Sequence, residues 1–413
     1  MRRRWLLVAG SITAASMVAA CGRPASTLAL DRPQVIQSPT GPGSMAPGLS
    51  VSPDGRVILS WLDANDPPQA ALRFAELSGD TWSSARTVAS GERFFVNWAD
   101  VPSVQRIGGT LTAHWLEKNG SGSYDYVVRV RLSRDGGSSW SPPLTPHADA
   151  TLGEHGFVSF FRRPDEEIGL VWLDGRNMSS GDDHAGGGGA MTLRAGAIDA
   201  EGNVAETLVD DRVCECCPTA AAQTDEGIVV AYRNRSDDEI RDIYVTRLVE
   251  GRWSDARPVA RDGWKIAGCP VNGPAVAADG RTVVLAWFTG ANDRPKVQAA
   301  FSRDAGKTFG APILVSDEAP IGRVSTALLP DASALAGWIQ SRESSAELRV
   351  RRVSSDGNAA ESIVVARVSS GRDSGYPRLV RAGNQIVFAW TDSTHGVRRV
   401  RTALWTLQDV SSP

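Results

Sequence analysis

The chain has little of what marks the common functional classes. Neither charge is in excess: 44 Lys and Arg stand against 47 Asp and Glu, a formal net charge of -3. A chain with no basic stripe cannot neutralise a phosphate backbone, so nucleic acid is not an expected partner. Cysteine and histidine are scarce, with five of each, and no Cys-x-x-Cys-His run is present. That excludes covalent haem attachment, and no cofactor is expected. The leading apolar stretch, Trp5 to Ala20, is too short for an obvious membrane span. Glycine and proline are plentiful instead, at 41 and 23, and they punctuate evenly spaced short strands. This argues for one large repetitive all-β body rather than two or three domains.

The repeat shows most clearly as an apolar strand ending in an aromatic residue. Copies run Val57 to Trp61, Leu111 to Trp115, Ile168 to Trp172, Ile228 to Tyr232, Val283 to Trp287, Ala334 to Trp338 and Ile386 to Trp390. Seven copies spaced by 51 to 60 residues predict a single β-propeller of seven four-stranded blades, with six blades as the alternative. The seventh copy ends near Leu407 without a fourth strand, while Pro33-Gln-Val-Ile-Gln-Ser38 precedes the first copy with no blade of its own. Pairing the two closes the ring and removes an open seam. The recurrent aromatics are read as packing between blades, because a residue at the same place in every repeat serves the repeat.

The N-terminus carries a second, separate signal. Arg2 to Arg4 form a positive segment, an apolar segment follows, and Val18-Ala19-Ala20-Cys21 closes it. This resembles a bacterial lipobox. The resemblance implies a signal peptide over 1–20, lipidation of Cys21, a short tether over 21–31, and a propeller over 32–413 held at a membrane of the cell envelope. Without Arg2 to Arg4 the body would carry about -6. Gly22 is not the acidic residue that would suggest inner-membrane retention, so the outer membrane or periplasmic face is favoured. A monomer is the default for a closed ring.

The turns between third and fourth strands are informative. Ser133-Arg-Asp135-Gly-Gly137-Ser-Ser-Trp140 and Ser302-Arg-Asp304-Ala-Gly306-Lys-Thr-Phe309 match Ser-x-Asp-x-Gly-x-x-aromatic. In such a turn the carboxylate accepts backbone N–H bonds, glycine takes the positive φ, and the aromatic plugs the turn against the blade. The pattern resembles the Asp-box, or BNR repeat, of sialidase-like propellers, and its role is structural. If these turns lie on one face, the loops entering first strands and those following second strands form the other.

Sorting polar residues by that rule gathers Asp174, Arg176, His155 and His184 with the dense run Tyr232-Arg233-Asn-Arg235-Ser-Asp-Asp-Glu239-Ile-Arg241-Asp242. The arginines would either present forks to a small anionic or glycan-like ligand or pair with the neighbouring acids in a rigid network. Gly186 to Gly189 reads as a loop that would act as a lid. The sialidase resemblance implies a tyrosine nucleophile activated by glutamate, for which Tyr376 and Glu239 are the candidates. The early Arg-Ile-Pro motif of that family is missing, and three of the arginines come from one blade, so exo-glycosidase activity is the alternative to ligand binding.

Four cysteines remain beyond Cys21: Cys214, Cys216, Cys217 and Cys269. Cys217-Pro218 and Cys269-Pro270 fall at corresponding places in adjacent repeats. In an oxidising envelope the even count predicts two disulfides and no metal. The competing reading is a thiolate metal site for Zn or Cu(I).

Overall fold

The computed structural model describes residues 32–163, 167–178, 189–394 and 396–407. Seven antiparallel sheets follow one another along the chain, and their first strands line a common channel of about 500 Å³. The molecule is a seven-bladed propeller. The inner strands are Ser44–Val51, Ser103–Ile107, His155–Arg162, Ala220–Thr224, Ala275–Asp279, Pro320–Leu328 and Arg378–Ala382, for blades 1 to 7 in order. No helix among the described residues is long and apolar enough to cross a membrane.

The ring closes as the orphan segments require. Gln34–Ile36 pairs antiparallel with Arg399–Thr406, placing Val35 opposite Ala403, and becomes the outer strand of blade 7. Blade 2 departs from the pattern: its sheet has three strands, and the fourth position is held by an isolated bridge between Val130 and Leu144. Pro142 and Pro143 stand beside that bridge, and a proline has no N–H with which to extend a ladder.

The aromatic at the end of each second strand is buried, and three of them show the packing across a blade boundary. Trp61 lies with Val387 and Ala389 between blades 1 and 7, Trp172 with Tyr126 and Val128 between blades 3 and 2, and Trp287 with Val229 and Ala231 between blades 5 and 4. An indole cannot be buried cheaply without a partner for its N–H. Trp61 donates to Asp63, Trp172 to Asp174 and Trp338 to Gln340, at 2.8, 2.8 and 3.1 Å, each two residues on and therefore on the same strand face.

Three inner strands bulge where they leave the loop that precedes them. Registers shift between Met45 and Gly48, between Gly156 and Ser159, and between Gly322 and Ser325. Each bulge holds a non-glycine residue in the left-handed region: Ala46, Phe157 and Arg323, at φ of 53, 55 and 54°. Bulges re-aim side chains, and these three act at one end of the channel.

Candidate functional site

In each antiparallel blade, turns joining first to second and third to fourth strands share one end. Loops between second and third strands, and those leading into the next blade, share the other. The two Ser-x-Asp turns therefore occupy the first end. There Asp135 Oδ1 accepts from Ser133 Oγ at 2.8 Å and from the Ser139 N–H at 2.9 Å, while the Gly137 N–H donates to Ser133 Oγ at 2.8 Å. Asp304 repeats this with Ser302 and Thr308, and the Gly306 N–H donates to Ser302 Oγ at 2.9 Å. Trp140 stands edge-on to Phe74, and Phe309 packs among the residues between blades 4 and 5.

The other end, the mouth of the channel, holds the unusual chemistry. Cys214, Cys216 and Cys217 are buried in the loop before blade 4, with Cys269, from the loop before blade 5, packed beside them. Neither of the two expected disulfides is present among the described residues. Cys214 Sγ lies 3.3 Å from Cys217 Sγ and 4.0 Å from Cys216 Sγ, far beyond the ~2.0 Å of an S–S bond. Burial opposes a Cys214 thiolate, but hydrogen bonds from Cys216 and Cys217 and the Arg241 cation outweigh it and hold its pKa well below the ordinary thiol value. Burial and donation to Cys214 push Cys216 and Cys217 the other way.

The arginines expected as free forks are turned inward. Glu215, between two cysteines and fully buried, receives Arg235 and, at 2.6 Å, Arg241. Both also grip Glu239, at 2.6 and 2.9 Å, and Arg241 donates to Cys214 Sγ at 3.2 Å. Arg233 spends its donors on the carbonyls of Asn272, Phe288 and Arg241 and stacks over Trp264 at 4.8 Å. Of the two sequence readings of this run, the geometry is that of the rigid network.

Asp174 and Arg176 are likewise engaged with each other, through bonds of 2.7 Å, and Arg176 reaches Glu206 at 2.8 Å. His155 and His147 stack at 4.0 Å and share Asp149, at 3.1 and 2.8 Å. Burial lowers the His147 pKa to about 4, and His155 beside it adds to the effect. Burial also opposes charge on His155, but Asp149 and Asp174 outweigh it and raise its pKa. His184, Gly186 to Gly188 and Cys21 lie outside the described residues.

Tyr376 and Glu239 are not joined by a hydrogen bond among the described residues. The Tyr376 hydroxyl donates to the Val271 carbonyl at 2.5 Å, and burial, with the nearby cysteines, raises its pKa well above that of a free phenol. A phenol so placed is a poor nucleophile. Burial opposes charge on Glu239, but Arg235 and Arg241 more than offset it and keep the carboxylate ionised.

Four further residues complete the mouth. Trp98, half-buried, stacks on Tyr376 at 6.1 Å, with the Arg323 and Arg372 guanidinium groups at 4.5 and 5.9 Å from its ring. Asp100 and Glu154 are buried carboxyl groups. Asp100 accepts the Phe157 N–H at 2.8 Å and Glu154 accepts the Tyr126 hydroxyl at 2.5 Å, but Asp100 Oδ1 and Glu154 Oε2 have no partner among the described residues. Burial raises Asp100 to about 7; burial, with Asp100 and Glu215 nearby, raises Glu154 to about 8. Arg378 opens the inner strand of blade 7 and lines the channel. Its guanidinium lies 5.7 Å from the Tyr376 ring, it has no acidic partner among the described residues, and burial disfavours its charge. Trp98, Glu215 and Arg378 escaped the sequence reading. An arginine opening an inner strand is the signal that was there to be read.

No family model matches the chain, and no curated protein matches it. Solved structures do. The PL25 ulvan lyase, a polysaccharide lyase solved bound to -[GlcA(1-4)Rha3S]-, aligns with a TM-score of 0.54 at 11% identity, covering 93% of this chain and 95% of the lyase. A protein of unknown function from Dyadobacter fermentans aligns at 0.51 and 16% identity, over 94% of this chain and all of the other. The fold is shared. At such identities the likeness extends to the propeller and no further.

Proposed function

We propose that this chain is a lipid-anchored envelope protein whose Asp-box propeller binds a small acidic, glycan-type ligand at the mouth of its channel. The observation that carries the reading is Arg378, a guanidinium on the channel wall with no carboxylate paired to it among the described residues. A half-buried guanidinium on a channel wall leaves its donors open to an anionic group, which would add charge-assisted hydrogen bonds on binding. Trp98 and Arg372 at the rim add an aromatic face and a second cation, the combination that a uronate or sulfated sugar needs. The glycan named for the ulvan lyase, -[GlcA(1-4)Rha3S]-, has that character. Lipidation of Cys21 would hold the propeller at the membrane surface, and the two Ser-x-Asp turns support its place among Asp-box propellers.

Binding is favoured over glycoside cleavage because Tyr376 and Glu239 are each committed to other partners. The test is calorimetric titration of the full-length protein with oligosaccharides of -[GlcA(1-4)Rha3S]-. Arg378→Ala is expected to weaken capture at least tenfold, and Trp98→Ala several-fold, with little change in thermal stability. Failure of the unmodified protein to bind these or other acidic oligosaccharides would remove the reading. Turnover of a sialoside that Tyr376→Phe abolishes would replace it with the enzyme.

A further inference from the structure

The geometry of the cysteine cluster points to a second site, independent of the ligand above. We propose that Cys214, Cys216 and Cys217, with Cys269 packed beside them, bind one thiophilic closed-shell cation, Zn2+ or Cu+. The sulfurs of the first three all lie within 4.8 Å of one another, with separations of 3.3 and 4.0 Å from Cys214. Sulfurs ~2.3 Å from a common ion stand about 3.8 Å apart in tetrahedral geometry and about 4.0 Å in trigonal geometry. The cluster is therefore spaced for an ion at its centre and too wide for a disulfide. Cys269 touches Cys216 from the neighbouring blade, and these two are the less buried of the four, which places them on the side by which an ion enters.

The surroundings suit an anionic thiolate set. Arg241 donates to Cys214 Sγ at 3.2 Å and the Asn272 N–H to Cys217 Sγ at 3.3 Å, so two sulfurs already carry the outer hydrogen bonds that orient metal ligands. Glu215, flanked by two of the cysteines, is turned away into Arg235 and Arg241 and does not compete for the ion. The two contributing loops are locked together. A Cβ on Gly273 would fall 2.1 Å from the Pro218 carbonyl oxygen, so only glycine lets the backbone after Cys269 approach the backbone after Cys217. Each thiol that ligates releases its proton to solvent, and no electron moves. Soft ligands of this number select Zn2+ or Cu+ over Mg2+ or Ca2+.

The experiment uses the full-length chain, reduced and freed of metal, titrated under argon with Zn2+, with Cu+, and with Co2+ as a spectroscopic reporter. One equivalent of Zn2+ or Cu+ is expected to survive desalting. Co2+ should bring an intense sulfur-to-metal charge-transfer absorption, and bound metal should protect the cysteines from alkylation. Cys216→Ser and Cys217→Ser should each lower affinity at least 100-fold, and Cys269→Ser about tenfold. If a serine variant does not fold, alkylation rates of the unmodified protein with and without metal decide the matter. Unchanged alkylation, metal retained by a variant lacking all four thiols, or an intact mass showing disulfides in the chain as first isolated would each overturn the proposal.

Discussion

The two ends of this propeller are built to different rules. In the two Ser-x-Asp turns at one end, each aspartate is met by hydroxyl and backbone donors from within four residues, and Asp304 is held down to about 2 because those bonds outweigh the slight burial that opposes ionisation. At the mouth, Asp100 and Glu154 are buried with one oxygen each unpartnered among the described residues, and their pKa values rise to about 7 and 8. Cys214 and Glu215 depend on arginines from another loop. The Ser-x-Asp turns at one end satisfy themselves locally. The other keeps groups whose needs are met only by distant chain or by something that binds, which is where function concentrates.

The largest effect on that comparison, and one with a sign, is expected from Glu154→Gln. The native state holds the Glu154 proton more tightly than the unfolded chain, where its value is near 4.5. Its stabilisation is therefore complete below about pH 4.5 and is lost as pH rises through about 8. Glutamine accepts the Tyr126 bond without titrating. The variant should match the parent near pH 4 and exceed it near pH 9 by about 5 kcal/mol, read from melting curves at the two pH values. An equal offset at both would mean that Glu154 is ionised throughout.

A smaller effect should come from Glu215→Ala. It leaves Arg235 and Arg241 buried with one acidic partner fewer, and about 3 kcal/mol should be lost in urea unfolding. A loss as small as that of a surface substitution would show that the network at the mouth bears no weight.

Gly306→Ala tests the opposite end. Gly306 sits at φ of 80°, and a Cβ there would meet Val229 Cγ2 at 2.6 Å, so a loss of about 1–2 kcal/mol is expected with ligand and metal binding at the mouth untouched. A change in either binding would join the two ends energetically and spoil the contrast.

Much of the architecture was legible because it is written locally and repeated. Trp61, Trp172, Trp287 and their equivalents end an apolar strand every time, and a residue repeated in register across blades serves the contact with a neighbouring blade. The closure by Gln34–Ile36 followed from counting strands. The mouth was legible only in part. Arg233, Arg235 and Arg241 lie on one face, yet their bonding turns on Glu215 from the loop before their own blade and on the carbonyls of Asn272 and Phe288 from blade 5. Tyr376 and Glu239 reached the same face but different partners.

By itself the sequence determined the blade count, the closing strand and the two Ser-x-Asp turns, since each depends on bonds within a strand or across a few residues. Only the tertiary structure decided that Cys269 meets Cys216, that Arg378 stands in the channel with no acidic partner among the described residues, and that Asp100 and Glu154 are buried near each other. Those facts depend on how far apart seven separately encoded loops come to rest around one axis. No local pattern specifies that distance; it follows from the packing of all the blades together.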